Sequence, residues 1–319
     1  MNILEKVFKT LEEQVNLLKS RGLRVEQTDK KILEIENYYY IINGYKDLFL
    51  KQKNPDFYKE GASFKEIYSL FEFDRKLRMI FLSKILKIEH NIKSLIAYHF
   101  SKKYGYRDYF LLENFRRPSK KITSGNIEKV IYVLEETIKK SINKDDTINH
   151  YSNKYGYVPL WVAINVFTLG NTNKFYGILK NEERSNVSKY YNIQPDKFQN
   201  FLRNIVFFRN KAAHGLRFYN AKYKNFNLKH NIKTTENISI YEYFAISKNE
   251  NGNYIKGRND LFSLLICLKF FLNYEDFSNL IINIDEEINS LDKKLKTIVI
   301  KDVLNSMGFP EKWQELKDI

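Results

Sequence analysis

Apolar residues along this chain recur mostly at three- and four-residue intervals and seldom alternate, a pattern that predicts helices almost throughout. The first is expected from Asn2 to Lys19, where MNILEKVFKTLEEQVN reads as an amphipathic, charged helix. A second helical or turn region covers Leu33–Leu50. Ser63 and Glu66, three apart and ahead of an apolar-periodic run, form a capping-box signal that opens a long helix stopping at Gly105. A further amphipathic helix spans about Asn126 to Ile142. Pro159 suits the first turn of a helix through PLWVAINVFTL, ended by Gly170, and a short helix follows near Lys174–Lys180. Pro195 and Asp196 start the helix of greatest interest, closed by Gly215 as a left-handed cap. Residues 222–258 are rich in Asn and Tyr, with weak periodicity; they read as an irregular insertion in which TTENISIYEYFAI is a strand candidate. Two helices and a tail reading MGFPEKWQEL complete the chain.

The expected fold class is therefore all-α, with an irregular insertion in the C-terminal third that carries a β-strand candidate. No internal repeat or low-complexity linker divides the chain, so residues 1–319 are expected to share one helical domain. With 43% hydrophobic residues a packed core is available, which excludes global disorder. The single cysteine, Cys267, lies inside LFSLLICLKFFL and reads as core filler in a reducing, cytoplasmic setting. The apolar run at Leu261–Leu272 is short for a bilayer and is interrupted by Lys269, so a buried helix explains it better than a membrane span. The N-terminus lacks the apolar core of a leader peptide. A net charge of +15 suggests a polyanionic partner. That signal is discounted by the abundance of Lys, Ile and Asn, a bias that an AT-rich genome produces without selection for binding.

The chemistry concentrates in DKFQNFLRNIVFFRNKAAHG. Phe198, Phe201, Leu202, Ile205 and Ala212 recur at helical spacing and define a buried face. Asn210 and His214, four apart, share a different face, with Arg203 and Arg217 on or near that stripe if helical geometry persists past Gly215. Lys211 adds to this basic flank. A basic stripe beside a histidine suits a phosphate backbone, since cations screen phosphates while imidazole exchanges protons near neutral pH. Arg209 lies five residues before His214, about 140° round an ideal helix, and falls on the apolar stripe. A guanidinium there needs a partner. Either Glu89 or Glu72 of the long helix pairs with it, or this face opens into a cleft at a subunit contact and meets a substrate phosphate. RNA carries its own nucleophile, the 2′-hydroxyl, so cleavage needs only a proton-transfer group and a cation for the charged transition state. Histidine and arginine meet that need without a metal or other cofactor, and the neighbourhood shows no ligand cluster for Mg²⁺ or zinc.

Other candidates read more plainly. His90 and His99 point about 180° apart on the long helix, and Glu89–Lys93 and Asp74–Arg78 are intrahelical pairs at i,i+4 spacing, Glu89 with a further option of facing Arg209. His150 and His230 fall in expected loops. Trp161 and Phe167 read as core, Tyr219 and Tyr223 as optional base-stacking rings, and Arg116, Arg117, Lys120 and Lys121 as a solvated loop with an RNA-contact alternative.

Arg209-Asn210-Lys211-Ala212-Ala213-His214 matches the Arg-x-x-x-x-His pattern of HEPN-superfamily ribonucleases, including a polar residue after the arginine. More widely, the chain resembles the Abi-like (abortive infection, AbiD/AbiF-type) family of bacterial phage-resistance proteins. The resemblance runs in order through NYYYIINGYKDLF, FDRKLRMIFLSKILKIEHNIKSLIAYHF, YGYVPLWVAINVFTLGNTNKFYGIL, FRNKAAHGLRFYN and MGFPEKW. It implies a HEPN-like helical bundle core, metal-independent ribonuclease or RNA-binding activity, and a role in phage defence. In that reading His214 is the general acid/base, Arg209 the phosphate clamp and Asn210 an orienting residue, with Lys211, Arg203 and Arg217 toward RNA. Such nucleases bring two motifs together, so the single copy here implies a homodimer. The different-class alternative is a non-catalytic protein holding a small structured RNA. A third reading leaves Arg209 as a purely structural ion-pair partner.

Overall fold

The structure, a computed structural model, describes residues 7–119, 122–224, 226, 228, 232–233, 236 and 238–319. Helices dominate it. Helix α1 runs Leu11–Ser20 and begins later than the periodicity suggests, because Thr10 and Glu13 close a capping box that fixes the start; residues 7–10 lie outside any helix, and 1–6 lie outside the described residues. Helix α2 (Asp29–Glu36) is followed by a π-turn at Tyr39–Asn43 and a 3-10 turn at Lys46–Phe49. The regular β structure among the described residues is one small hairpin, β1 (Leu50–Gln52) antiparallel to β2 (Phe57–Tyr58), with Leu50 opposite Tyr58.

Helix α3, Phe64–Tyr104, is the spine of the molecule: 41 residues, about 60 Å long at 1.5 Å per residue. Ser63 caps it by accepting from the Glu66 amide at 3.4 Å. The Glu66 carboxylate does not complete the box through the Ser63 backbone. It accepts instead from the Lys296 and Thr297 amides at 2.7 Å each, pinning the helix start to a loop 230 residues away. Its buried stripe from Ile67 to Phe100 explains why so long a helix is stable: each fully buried large apolar side chain contributes roughly 1.5–3 kcal/mol. Gly105, with φ +78°, ends it.

Helices α4 (Ser124–Ser141) and α5 (Asp146–Tyr155) follow, the latter placing His150 on a helix where a loop is expected from the sequence. The Pro159 segment also differs from expectation. Pro159 is the N-cap of a single turn, α6 (Leu160–Ala163), continued as a 3-10 turn to Val166. Thr168 then caps a new helix, α7 (Leu169–Ile178), by accepting from the Asn171 amide at 3.1 Å, so Gly170 starts a helix and does not end one. Helix α8 (Asn181–Lys189) precedes α9 (Pro195–Ala213). The 222–258 stretch is irregular, as expected, with isolated bridges Lys233–Ser239 and Lys248–Tyr254. The described part of its strand candidate holds one helical turn, α10 (Ile240–Tyr243), while residues 234, 235 and 237 lie outside the described residues. Three helices, not two, close the chain: α11 (Leu261–Lys269), α12 (Tyr274–Asp292) and α13 (Ile300–Met307), before a 3-10 turn at Trp313–Lys317.

Helices α12, α9, α8 and α6 pack along α3, and α9 is clasped between α3, α7, α8 and α11. One extensive core unites these elements, and a small satellite of Ile148, Val158, Val162 and Ala163 joins α5 to α6. No helix among the described residues is long and apolar enough to cross a membrane.

Candidate active site

Helix α9 forms because its first turn carries Pro195 and Asp196, which suit an N-terminus, and its apolar positions share one stripe. Phe198, Phe201, Leu202, Ile205 and Phe208 are all completely buried, and Ala212 nearly so. Asn204 also enters the core, where its amide donates to Ser263 Oγ at 3.1 Å and lies 3.5 Å from Cys267 Sγ. Burial pushes the Cys267 thiol up to about 12, so it behaves as core filler.

The C-terminus of α9 is a Schellman cap. The Leu216 amide donates to the Lys211 carbonyl at 3.0 Å and the Gly215 amide to the Ala212 carbonyl at 3.2 Å, with Gly215 at φ +65°. His214 is the capping residue itself, its backbone amide donating to the Asn210 carbonyl. Its side chain is exposed at the helix end, and its imidazole has no hydrogen-bond partner among the described residues. Asn210 and Arg203 are exposed, and Lys211 rests its ammonium 5.8 Å over the Phe207 ring.

Arg209 occupies the shoulder of the buried stripe and remains 24% exposed. Of the two carboxylates offered by the sequence, Glu89 is its partner, with Arg209 Nε donating to Oε2 at 3.3 Å; Glu72 pairs with Arg75 instead. Glu89, only 8% exposed, has a second cation in Lys93 at 2.9 Å, whose ammonium also reaches the Asn165 carbonyl at 3.5 Å. The Nη groups of Arg209 donate no hydrogen bond among the described residues.

Beyond Gly215 the helix does not persist, so Arg217 leaves the expected stripe. It donates to the Gly44 carbonyl at 2.5 Å and pairs with Asp47 at 3.4 Å. The following residues are anchored to α3. Asp74, wholly buried, accepts from the Phe218 and Tyr219 amides, from the Tyr45 hydroxyl at 2.5 Å and from Arg78 at 2.7 Å. Arg78 in turn reaches the Leu216 carbonyl. The intrahelical Asp74–Arg78 pair is therefore also a clamp on the chain just past the motif, a role no local pattern announces because its partners lie some 144 residues apart.

Several other expectations are resolved. Tyr219 is fully buried and stacks on Tyr45, and Tyr223 stacks face to face on Phe207 at 4.6 Å; both rings are committed internally, not offered to bases. Phe167 is core, but Trp161 is 48% exposed, because the helix it belongs to lasts one turn and leaves its ring at the surface. A cleft of about 530 Å³ lies there, with His90, Ser94, Tyr98 and Lys102 along α3 and Trp161 and Asn165 across from them. His99 is displaced from that line, and burial and then Lys102 hold its imidazole below the usual histidine range. Arg116 donates to the Gly177 carbonyl and Arg117 is exposed, while Lys120, Lys121 and His230 lie outside the described residues. No three His, Cys, Asp or Glu side chains converge among the described residues.

The arrangement thus defines a helical protein whose candidate chemistry sits where the end of α9 meets the middle of α3. The sequence model of the Abi-like protein family matches residues 31–220, well over half of the chain, and the chain belongs to that family. The match begins in α2 and ends just past the Asp74 clamp, so it contains both α3 and α9. Searches of curated proteins and of solved structures return no match.

Proposed function

We propose that the protein is a metal-independent, HEPN-type endoribonuclease that acts as a homodimer in abortive infection. The observation that carries this reading is the end of α9: an exposed imidazole at His214, without a partner among the described residues, within one and a half turns of the partly exposed guanidinium of Arg209. Membership of the Abi-like family supports the defence role. In the reaction, the ribose 2′-oxygen attacks the adjacent phosphorus, the bond from phosphorus to the 5′-oxygen breaks, and a 2′,3′-cyclic phosphate forms. One proton leaves the 2′-hydroxyl and one reaches the departing 5′-oxygen. Arg209 stabilises charge on the phosphoryl oxygens, exchanging its single contact with Glu89 for phosphate, while Lys93 continues to neutralise Glu89. Asn210, Lys211 and Arg203 flank the site toward the RNA backbone, and Arg217 does so only as far as its ties to Gly44 and Asp47 allow.

A single imidazole cannot accept one proton and donate another in the same concerted step. Two copies of the motif facing each other supply both groups, which is the physical reason for a two-fold dimer. A second reading, RNA binding without cleavage, is favoured by one observation: Arg209 already has a buried carboxylate partner. Product analysis separates the two. Purified protein incubated with single-stranded RNA in EDTA is expected to leave 2′,3′-cyclic phosphate ends. Intact RNA that stays bound would establish the second reading, and strict dependence on Mg²⁺ would overturn the mechanism.

A further inference from the structure

We infer that the cleft between α3 and α6 is a nucleobase subsite for single-stranded RNA, with Trp161 as its stacking face. The inference deepens the ribonuclease reading and rests on it for the identity of the strand.

Trp161 on one bank and Tyr98 on the other are 48% and 62% exposed, two large rings left at the surface across a recess of about 530 Å³. Single exposed apolar residues are ordinary, but paired aromatic rings facing one cleft present the flat, polarizable surfaces on which bases of any identity stack. Ala97 and Ile164 complete a mostly apolar lining, with Ser94, Ser101 and Asn165 as its uncharged polar groups. Lys102 and His90 mark its two ends along α3, Lys102 is exposed with no acidic partner among the described residues, and no carboxylate lines the cleft. Lys102 thus supplies a positive charge at one end of the cleft, suited to the phosphate beside a stacked base.

Its position fits the same strand. His90 adjoins Glu89, the partner of Arg209, and Lys93 bonds both Glu89 and the carbonyl of Asn165 on the opposite bank. Lys93 therefore ties the acid that holds Arg209 to the opposite bank of the cleft. On this reading a strand with its scissile phosphate at Arg209 runs along α3 and sets a neighbouring base against Trp161.

The test uses intrinsic fluorescence, since the chain has two tryptophans and the other, Trp313, is buried. Full-length protein is titrated with a short 2′-O-methyl oligoadenylate, which lacks the nucleophile and cannot be cut. Saturable quenching is expected, lost in Trp161→Phe, and Trp161→Ala should weaken binding about tenfold, as loss of one stacked base does. Absence of quenching, or quenching unchanged in Trp161→Phe, would overturn the subsite. So would an emission change that follows protein concentration without RNA, because a second copy would then cover the cleft. The two proposals fail separately: RNA cleavage without quenching removes the subsite alone, and quenching with no cleavage of natural RNA removes the nuclease alone.

Discussion

Helix α3 carries two acid–base pairs that grip the chain on either side of the motif, and they are built differently. At Asp74–Arg78 both partners are buried, and the carboxylate is surrounded by two backbone amides, a tyrosine hydroxyl and a guanidinium. At Glu89–Arg209 the acid is buried but the arginine is not, the contact is a single 3.3 Å bond, and a second cation stands beside the acid. A pair of the first kind is expensive to disturb, since every lone pair is in use and no water replaces the loss. A pair of the second kind can exchange partners. The comparison separates Asp74, which anchors the chain past α9, from Arg209, whose guanidinium is free to change partners, although the acid of each pair lies on α3.

The largest expected effect follows from the first pair. Asp74→Ala strands Arg78 and leaves the Phe218 and Tyr219 amides unsatisfied inside the core, and should cost roughly 3–5 kcal/mol. Denaturant unfolding measures this; a loss below about 1 kcal/mol, the range of surface pairs, would remove Asp74 from its anchoring role. Arg209→Ala should behave in the opposite way. Lys93 still neutralises Glu89, so folding should weaken by only about 1 kcal/mol, while RNA cleavage falls by orders of magnitude. A severely destabilised Arg209→Ala that retained cleavage per folded molecule would make Arg209 a structural residue. His214→Ala should abolish cleavage and leave the helical circular-dichroism signal intact, since the side chain is exposed. Mixing the two inactive variants then asks whether one subunit's arginine serves the other's histidine: partial recovery of cleavage is expected, and a fully active monomer by light scattering would end the composite-site idea.

Which of these features the sequence discloses follows from the range of the forces involved. Helices α3 and α9 announce themselves through caps and periodicity, because Ser63, Pro195 and Gly215 act on backbone a few residues away. Helices α5 and α8 do not, since DTINHYSNKY and NEERSNVSK have little apolar content and owe their stability to their neighbours. Thr168 was a readable stop-and-start signal that the apolar run PLWVAINVFTL obscures, and with it the exposure of Trp161. The Glu89–Arg209 contact was legible as one of two options, from the need of an arginine on an apolar stripe for a counter-charge. The Asp74 clamp was not legible at all, because its acceptors and donors meet only through the tertiary fold.

The smallest expected effect lies between the two pairs, at Gly215. Its φ of +65° is the left-handed conformation that the Schellman cap requires, and a Cβ built there meets nothing within 4 Å. Space is therefore not the obstacle; backbone conformation is. Gly215→Ala should lower stability by about 1 kcal/mol, the ordinary cost of holding an L-residue in that region. Gly215→Asn should cost less, because asparagine visits it more readily. If the cap holds His214 in place, cleavage should follow the same order, with wild type above Gly215→Asn and Gly215→Ala lowest, while Arg209 and Asp74 keep their own partners. Equal activities for the three proteins at equal folded fractions would show that His214 finds its position without the cap, and would leave the two α3 pairs as the sole determinants of the geometry at the end of α9.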